Sequence, residues 1–307
     1  MHADLVELGW TEEQWNRLCT TVTEEAQRAR VAAQMLPVSG PEEPKTVAVP
    51  PFALSTDPNP YPYPTGAVVP RLTIDSDPTL FLTTIAVNVQ LRTHEAADPD
   101  LNAALVMFRR AANYIARIED ALVFSGRPFA NADPPFIGGR IPKVYTVTGN
   151  SSVGGIFLPA AGQTPLPGSV PAPAFTPVPP ATSRGNMVVN AVVRAIDQLE
   201  ANAQLGPFAC ALSHDLFEDI CTPTANLVLP RDRILPFLQG PLLRSSAIPP
   251  ANGVVVALGG TPLELIVACD VQVRFLQTTL EPRYVFRVVE RVALRIKEAG
   301  SIALLSS

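Results

Sequence analysis

Ser213, His214 and Asp215 are the three residue types of a hydrolytic relay, set in one run. The relay needs its side chains to converge on one another, and adjacent positions cannot do that. Ser213 has a simpler role as the cap of a short helix over 215–220. No G-x-S-x-G elbow occurs. The stretch 149–155 is glycine-rich but lacks the Gly-Lys-Ser/Thr ending that cradles phosphates, and no helical pattern follows it, so it reads as a loop. His94-Glu95 has no second histidine four residues from the first, which removes a zincin-like site. Glu119 and Asp120 are neighbours on a helical pattern and point in different directions, so paired acid/base work is not expected of them. Cys19, Cys210, Cys221 and Cys269 show no C-x-x-C spacing, and with only His2, His94 and His214 to join them they read as reduced, buried thiols. No catalytic residue, metal or cofactor is expected.

The elements that would have to position any chemistry tell more. Of 307 residues, 47% are hydrophobic and 17% charged, so much apolar surface must be hidden, and contacts between subunits are one place to hide it. The net charge is −5 with Lys and Arg dispersed, which leaves no footprint for wrapping nucleic acid. Charges run through residues 1–30, and no apolar run reaches the roughly 18 residues of a membrane span, so neither a signal peptide nor a membrane partner is expected and the location reads as cytoplasmic.

A helix is predicted over 11–35, with Thr11 as N-cap, acidic residues in the first turn and a thin apolar stripe through Trp15, Leu18, Val22, Ala26 and Ala29. From 37 to 78 there are eleven prolines, which exclude a helix or central strand and predict an extended arm. Phe52, Leu54, Tyr61, Tyr63, Val68 and Val69 make that arm apolar enough to lie on a neighbour. Residues 81–91 alternate as a half-buried strand with Phe81, Thr83, Ile85, Val87, Val89 and Leu91 on one face. A long helix follows from about 100 to 126 through Leu101, Leu105, Phe108, Ala112, Ile115 and Leu122. Its other face carries Arg109, Arg110, Arg117, Glu119 and Asp120, with Arg110–Tyr114 and Arg117–Asp120 expected as surface pairs.

Twelve prolines then mark 127–185, where only 143–148 looks like a strand. Beyond it come a helix over 186–203 through Val188, Val192, Ile196 and Leu199, a strand over 208–212, and strands over 253–258, 263–268 and 271–276. A last strand turns Tyr284, Phe286, Val288, Val292, Leu294 and Ile296 one way and Arg287, Arg291, Arg295 and Lys297 the other. The sum is an α+β chain.

Several of these segments, in order, resemble the encapsulin family, whose subunits have the capsid fold of tailed phages. They are Trp10-Thr11-Glu12-Glu13-Gln14-Trp15, the helix end Ile118-Glu119-Asp120-Ala121-Leu122-Val123-Phe124-Ser125-Gly126, Gly206-Pro207-Phe208, Asn252-Gly253-Val254 through Asp270, and Phe286-Arg287-Val288-Val289-Glu290. The resemblance implies an HK97-like capsid fold: a peripheral domain with a long spine helix, an axial domain and an extended proline-rich E-loop. It divides the chain into an N-terminal helix (1–41), the extended loop and its strands (42–92), the spine helix (93–135), a proline-rich insertion (136–185), the axial domain (186–260) and return strands of the peripheral domain (261–307).

The same resemblance implies a structural shell subunit, not an enzyme, that self-assembles into an icosahedral cage around a cargo enzyme bearing a C-terminal targeting peptide. Ala29, Ala33, Leu36, Val271 and Val273 are the expected peptide-binding residues, and Thr224, Ala225, Asn226 and Leu227 the expected pore lining. The basic residue that many members carry late in the first helix is Ala33 here. A phage capsid packaging DNA is the alternative; a first helix beginning near residue 11 leaves no room for the scaffolding segment of phage relatives, which favours the compartment.

Overall fold

A computed structural model describes residues 8–43, 45–57, 71–75, 79–127, 142–149, 154–157, 169–171, 183–223, 227–279, 281 and 283–306. In chain order the elements begin with α1 (Glu12–Ala29), α2 (Ala32–Met35), β1 (Val38–Ser39), β2 (Ala48–Val49), β3 (Ala53–Asp57), β4 (Arg71–Asp75), β5 (Leu80–Phe81) and β6 (Thr83–Arg92). Next come α3 (Thr93–Ala96), α4 (Asn102–Ser125), β7 (Tyr145–Thr148), β8 (Ser169–Pro171), α5 (Arg184–Ala201), β9 (Phe208–Leu212), α6 (His214–Cys221) and α7 (Pro230–Leu238). The last are β10 (Gln239–Arg244), β11 (Asn252–Ala257), β12 (Leu263–Thr278), β13 (Arg283–Ile296) and β14 (Ile302–Ser306).

Thr11 caps α1 as expected: its hydroxyl accepts from Gln14 N at 3.2 Å, and the Gln14 side chain accepts from Thr11 N at 2.9 Å. Two donors that a helix start leaves open are thus satisfied. The single helix expected over 11–35 is two. Arg30 takes an extended backbone (φ −69°, ψ 129°), and α2 restarts because Asp120 Oδ1 accepts from Val31 N at 2.9 Å and Ala32 N at 2.7 Å. A carboxylate from another helix caps the break.

The first sheet runs β1-β12-β13-β6-β7. Helix α4 lies across one face and α1 packs on α4 and β12. Ile85, Val87 and Leu91 from β6, Phe286, Val288 and Val292 from β13, and Leu105, Phe108, Ile115 and Leu122 from α4 form one core. Phe286 stacks on Trp10 at 5.4 Å between ring centroids and meets Phe108 edge-on at 5.3 Å. Of the alternating face expected over 81–91, Phe81 alone is exposed, because the chain pauses at Leu82 between β5 and β6. The two strands expected over 263–268 and 271–276 are one long strand. Between the pairs Cys269↔Arg291 and Gln272↔Val289, β12 holds one residue more than β13, a bulge rather than a turn.

The second sheet runs β10-β9-β11-β14-β8. Period-2 alternation divides its residues between two cores. Ala209, Ala211, Val254 and Val256 face the first core, whereas Cys210, Leu212, Val255 and Leu305 pack with Val188, Val192 and Leu199 of α5. Strand β14 belongs here, so the chain's last described residues, expected among the return strands of 261–307, join this second sheet rather than the first. Helix α7 and strands β8 and β10 have no counterpart in the sequence reading. Pro230 stands at the first turn of α7, where its missing N–H costs nothing, and Pro236 falls in the last turn.

The basic face of β13 does not look into water. It holds the root of the arm: Arg291 Nη1 donates to Thr46 O at 3.1 Å, Arg295 Nη1 donates to Pro50 O at 3.2 Å, and Leu54 N donates to Lys297 O at 2.7 Å. Arg295 also pairs with Glu264, which Lys297 reaches at 2.9 Å, and lies over the Phe52 ring at 5.1 Å.

Two expected outcomes test this architecture. Helix propensity alone favours Gly185→Ala by about 1 kcal/mol, but the new Cβ would sit 2.6 Å from Asp219 O and 2.7 Å from Pro230 Cγ, so urea unfolding should show a loss of stability. Arg295→Met keeps bulk and removes the clamp; it should cost about 2 kcal/mol and speed protease cleavage within 44–57, with the far-ultraviolet circular dichroism unchanged.

Candidate functional site: assembly faces and a buried charge cluster

Ser213 is buried at 1% exposure while His214 is exposed, and Asp215 accepts from Ala251 N at 2.9 Å, so the structure does not assemble a relay from the run. Ser213 occupies the N-cap position of α6 with an extended backbone, but its hydroxyl makes no cap bond there. Among the described residues no group of three or more His, Cys, Asp and Glu side chains is arranged to hold a metal, and no helix is long and apolar enough to cross a membrane.

The expected peptide-binding residues divide between the core and its edge. Leu36, Val271 and Val273 belong to the first core at 4%, 5% and 7% exposure, and Ala33 packs against that core while staying partly exposed, as Ala29 also does. Leu36, Val271 and Val273 are therefore committed to the fold and can offer a ligand at most a floor. Of the expected pore lining, Thr224, Ala225 and Asn226 lie outside the described residues; Leu227 is 86% exposed with a left-handed backbone, φ 59°.

The sequence reading placed one feature on the wrong face. Glu119 and Asp120, assigned to the solvent face of α4, are buried at 0% and 3% exposure, whereas Arg110 donates to Tyr114 Oη at 3.0 Å as expected. Arg30, at the break between α1 and α2, enters the interior to meet the carboxyls. Its Nε lies 2.9 Å from Glu119 Oε2, its Nη2 donates to Asp270 Oδ1 at 2.7 Å, and Nη2 also contacts Glu290 Oε1. The β12 bulge is what turns Asp270 toward Arg30, and Asp270 is held by Val271 N at 2.7 Å.

Burial raises the Asp120 carboxyl to about 7 and pushes Glu119 and Glu290 upward in the same sense, with Arg30 pulling against it. Burial works against the Arg30 cation too, but Glu290, Glu119 and Asp270 outweigh it and raise its pKa. A signal for these residues existed. Glu119 is four residues after Ile115 and three before Leu122, on the apolar stripe of α4, and Glu290 interrupts the apolar row of β13 between Val288 and Val292.

Among the described residues, exposed large apolar side chains gather in two places, with Val38, Val106, Val144, Leu205 and Leu276 scattered elsewhere. Strands β3 and β4 pair only with each other among the described residues, and they expose Leu54 at 44%, Leu72 at 74% and Ile74 at 66%. On the axial side Leu227, Leu235 and Phe237 are exposed, and Phe237 lines a cleft with Val189, Val193, Arg194 and Arg233.

Compared with known proteins, the family model described as "Encapsulating protein for peroxidase" matches residues 163–293. No curated protein matches the chain. Among solved structures, the virus-like particle from Pyrococcus furiosus aligns with a TM-score of 0.64 at 12% identity, covering 96% of this chain and 100% of that one. A chain from Mycobacterium phage Ogopogo aligns at 0.57 and 12% identity, covering 90% and 91%, and the capsid of Myoviridae phage XM1 at 0.55 and 11%, covering 88% and 89%. The long helix across the sheet, the paired arm strands and the second sheet with its helices are thus the HK97-like capsid fold, and over residues 163–293 the chain is similar to the encapsulin family.

Proposed function

We propose that the chain is the shell subunit of a nanocompartment, self-assembling through its arm and axial faces into an icosahedral cage that encloses a cargo enzyme. The capsid fold and the encapsulin match support a shell-forming subunit, structural rather than catalytic. The observation that carries the reading is the arm. A two-stranded ribbon is marginal in water even when one face is covered, and this one shows Leu54, Leu72 and Ile74 to solvent. Its root is clamped by Arg291, Arg295 and Lys297, so the ribbon is held in one direction and needs a second surface to cover it. An identical subunit supplies that surface in every copy, and head-to-tail contacts of this kind close into a shell. Leu227, Leu235 and Phe237 add a second contact, and in this reading Leu227 belongs to the pore lining.

For the cargo we propose a targeting peptide lying along Ala29 and Ala33, whose short side chains leave a slot floored by Leu36, Val271 and Val273. The compartment is cytoplasmic in this reading.

Electron microscopy of the purified protein should show hollow particles, with an absorbance ratio free of nucleic acid. Particles filled with nucleic acid would instead support a DNA-packaging capsid, and a small oligomer at every concentration and salt would end both readings. The double variant Leu72→Asp, Ile74→Asp should shift the protein from particles to free, folded subunits. Ala33→Leu should leave particles intact and cut cargo loading roughly tenfold, equivalent to about 1.4 kcal/mol; unchanged loading would remove Ala33 from the slot.

A further inference from the structure

The N-terminal helices hold to the body by one apolar stripe and, at the break between them, one charged knot. In α1 only Leu18, Val22 and Ala26 are fully buried, and its outer side, including Glu12, Glu13, Arg17, Glu24 and Gln27, lies in solvent. At its end five charged groups meet. Arg30 comes from the α1–α2 break, Glu119 and Asp120 from α4, Asp270 from the β12 bulge and Glu290 from β13. Strand β6, paired to β13 at this point, contributes Ile85 opposite Glu290 and no charge. Fully ionised, four carboxylates would face one guanidinium in a site where Glu119 and Glu290 have no exposure at all.

The hydrogen bonds show that the site is built for fewer charges. Beyond the ion pair of Arg30 Nε with Glu119 Oε2, neither oxygen of Glu119 receives an N–H or hydroxyl hydrogen bond from the chain, and neither does Glu290 Oε2. These two carboxyls come within hydrogen-bonding reach of each other, so a proton carried by Glu290 and donated to Glu119 satisfies both. Asp120 meanwhile spends its Oδ1 on the two N–H groups that start α2.

We propose that this cluster is a proton-operated latch: with protons on its buried carboxyls Arg30 fastens the α1–α2 pair to the spine helix and sheet, and rising pH adds buried negative charge that loosens α1. The sign follows from the direction of titration. Burial raises the carboxyls of Glu119, Asp120 and Glu290 above their values in an unfolded chain, so the folded form holds the extra protons. Their contribution is complete below the ordinary carboxylate range; that of Asp120 and Glu119 is lost as pH climbs through about 7, and that of Glu290 is lost in the same direction as its raised carboxyl ionises. The latch does not depend on the assembly reading, because all five groups belong to one subunit.

Hydrogen exchange of the full chain, followed by mass spectrometry from pH 5.5 to 9 and corrected for intrinsic rates, tests it. Protection of α1 should fall about tenfold or more for each pK unit of lost interaction, while β9 and β11 in the axial core keep theirs. Glu290→Gln places a permanently neutral donor at that site and should flatten the α1 profile; Glu119→Gln should do the same from the other side. Constant α1 protection relative to β11 across this range in the wild-type protein overturns the proposal, and so does an unaltered slope in both variants. The wild-type profile decides the matter alone if neither variant folds.

Discussion

One buried guanidinium ties the peripheral half of this subunit together. Arg30 reaches from the end of the first helix to a carboxylate on the spine helix, another on a bulged strand and a third on the central strand of the sheet. Taking such groups out of water is costly, and only a full set of partners makes the arrangement tolerable. The geometry of the neighbourhood serves that end. The first helix stops at Arg30, the second starts on Asp120, and β12 carries an extra residue where Asp270, half exposed, turns to meet Arg30. The peripheral fold is therefore specified by charge at one point and by apolar packing around Phe286 everywhere else.

Much of this could be read from the residues. The cap at Thr11, the stripe of α4, the helix through Val188 and Leu199 and the two-faced strand from Tyr284 to Ile296 all follow from local periodicity, because each buries one face against a neighbour. The misreadings share a cause: the partner is distant in the chain. Nothing near Arg30 announces that Asp120 will break the helix there, and nothing near Arg295 says that its face will be covered by 46–54. Strand β8 lies in a proline-rich run with no alternation, and its pairing with β14 is parallel to a strand far along the chain. Of the proposed peptide slot, only the small side chains at Ala29 and Ala33 were visible in the sequence; the depth of Leu36, Val271 and Val273 required the packed core.

The two sheets also differ in what they leave open. The peripheral sheet covers both faces, one with α4 and the other with a small cluster of Val49, Leu82, Ile266, Ala268 and Ala293 beneath the arm root. The axial sheet shares its inner face with the first core and packs its outer face on α5 and its neighbours, leaving the far sides of α5 and α7 to solvent. Among the described residues, exposed apolar side chains therefore gather on the arm ribbon and around α7.

The pairing of β6 with β13 places residue 92 beside residue 283, and β11 waits for β14 at residues 302–306. A chain emerging from the ribosome thus carries unfinished sheets until nearly all of the described sequence has been made. Synthesis itself becomes a timer: the platform that holds the root of the arm does not exist before the strand that builds it.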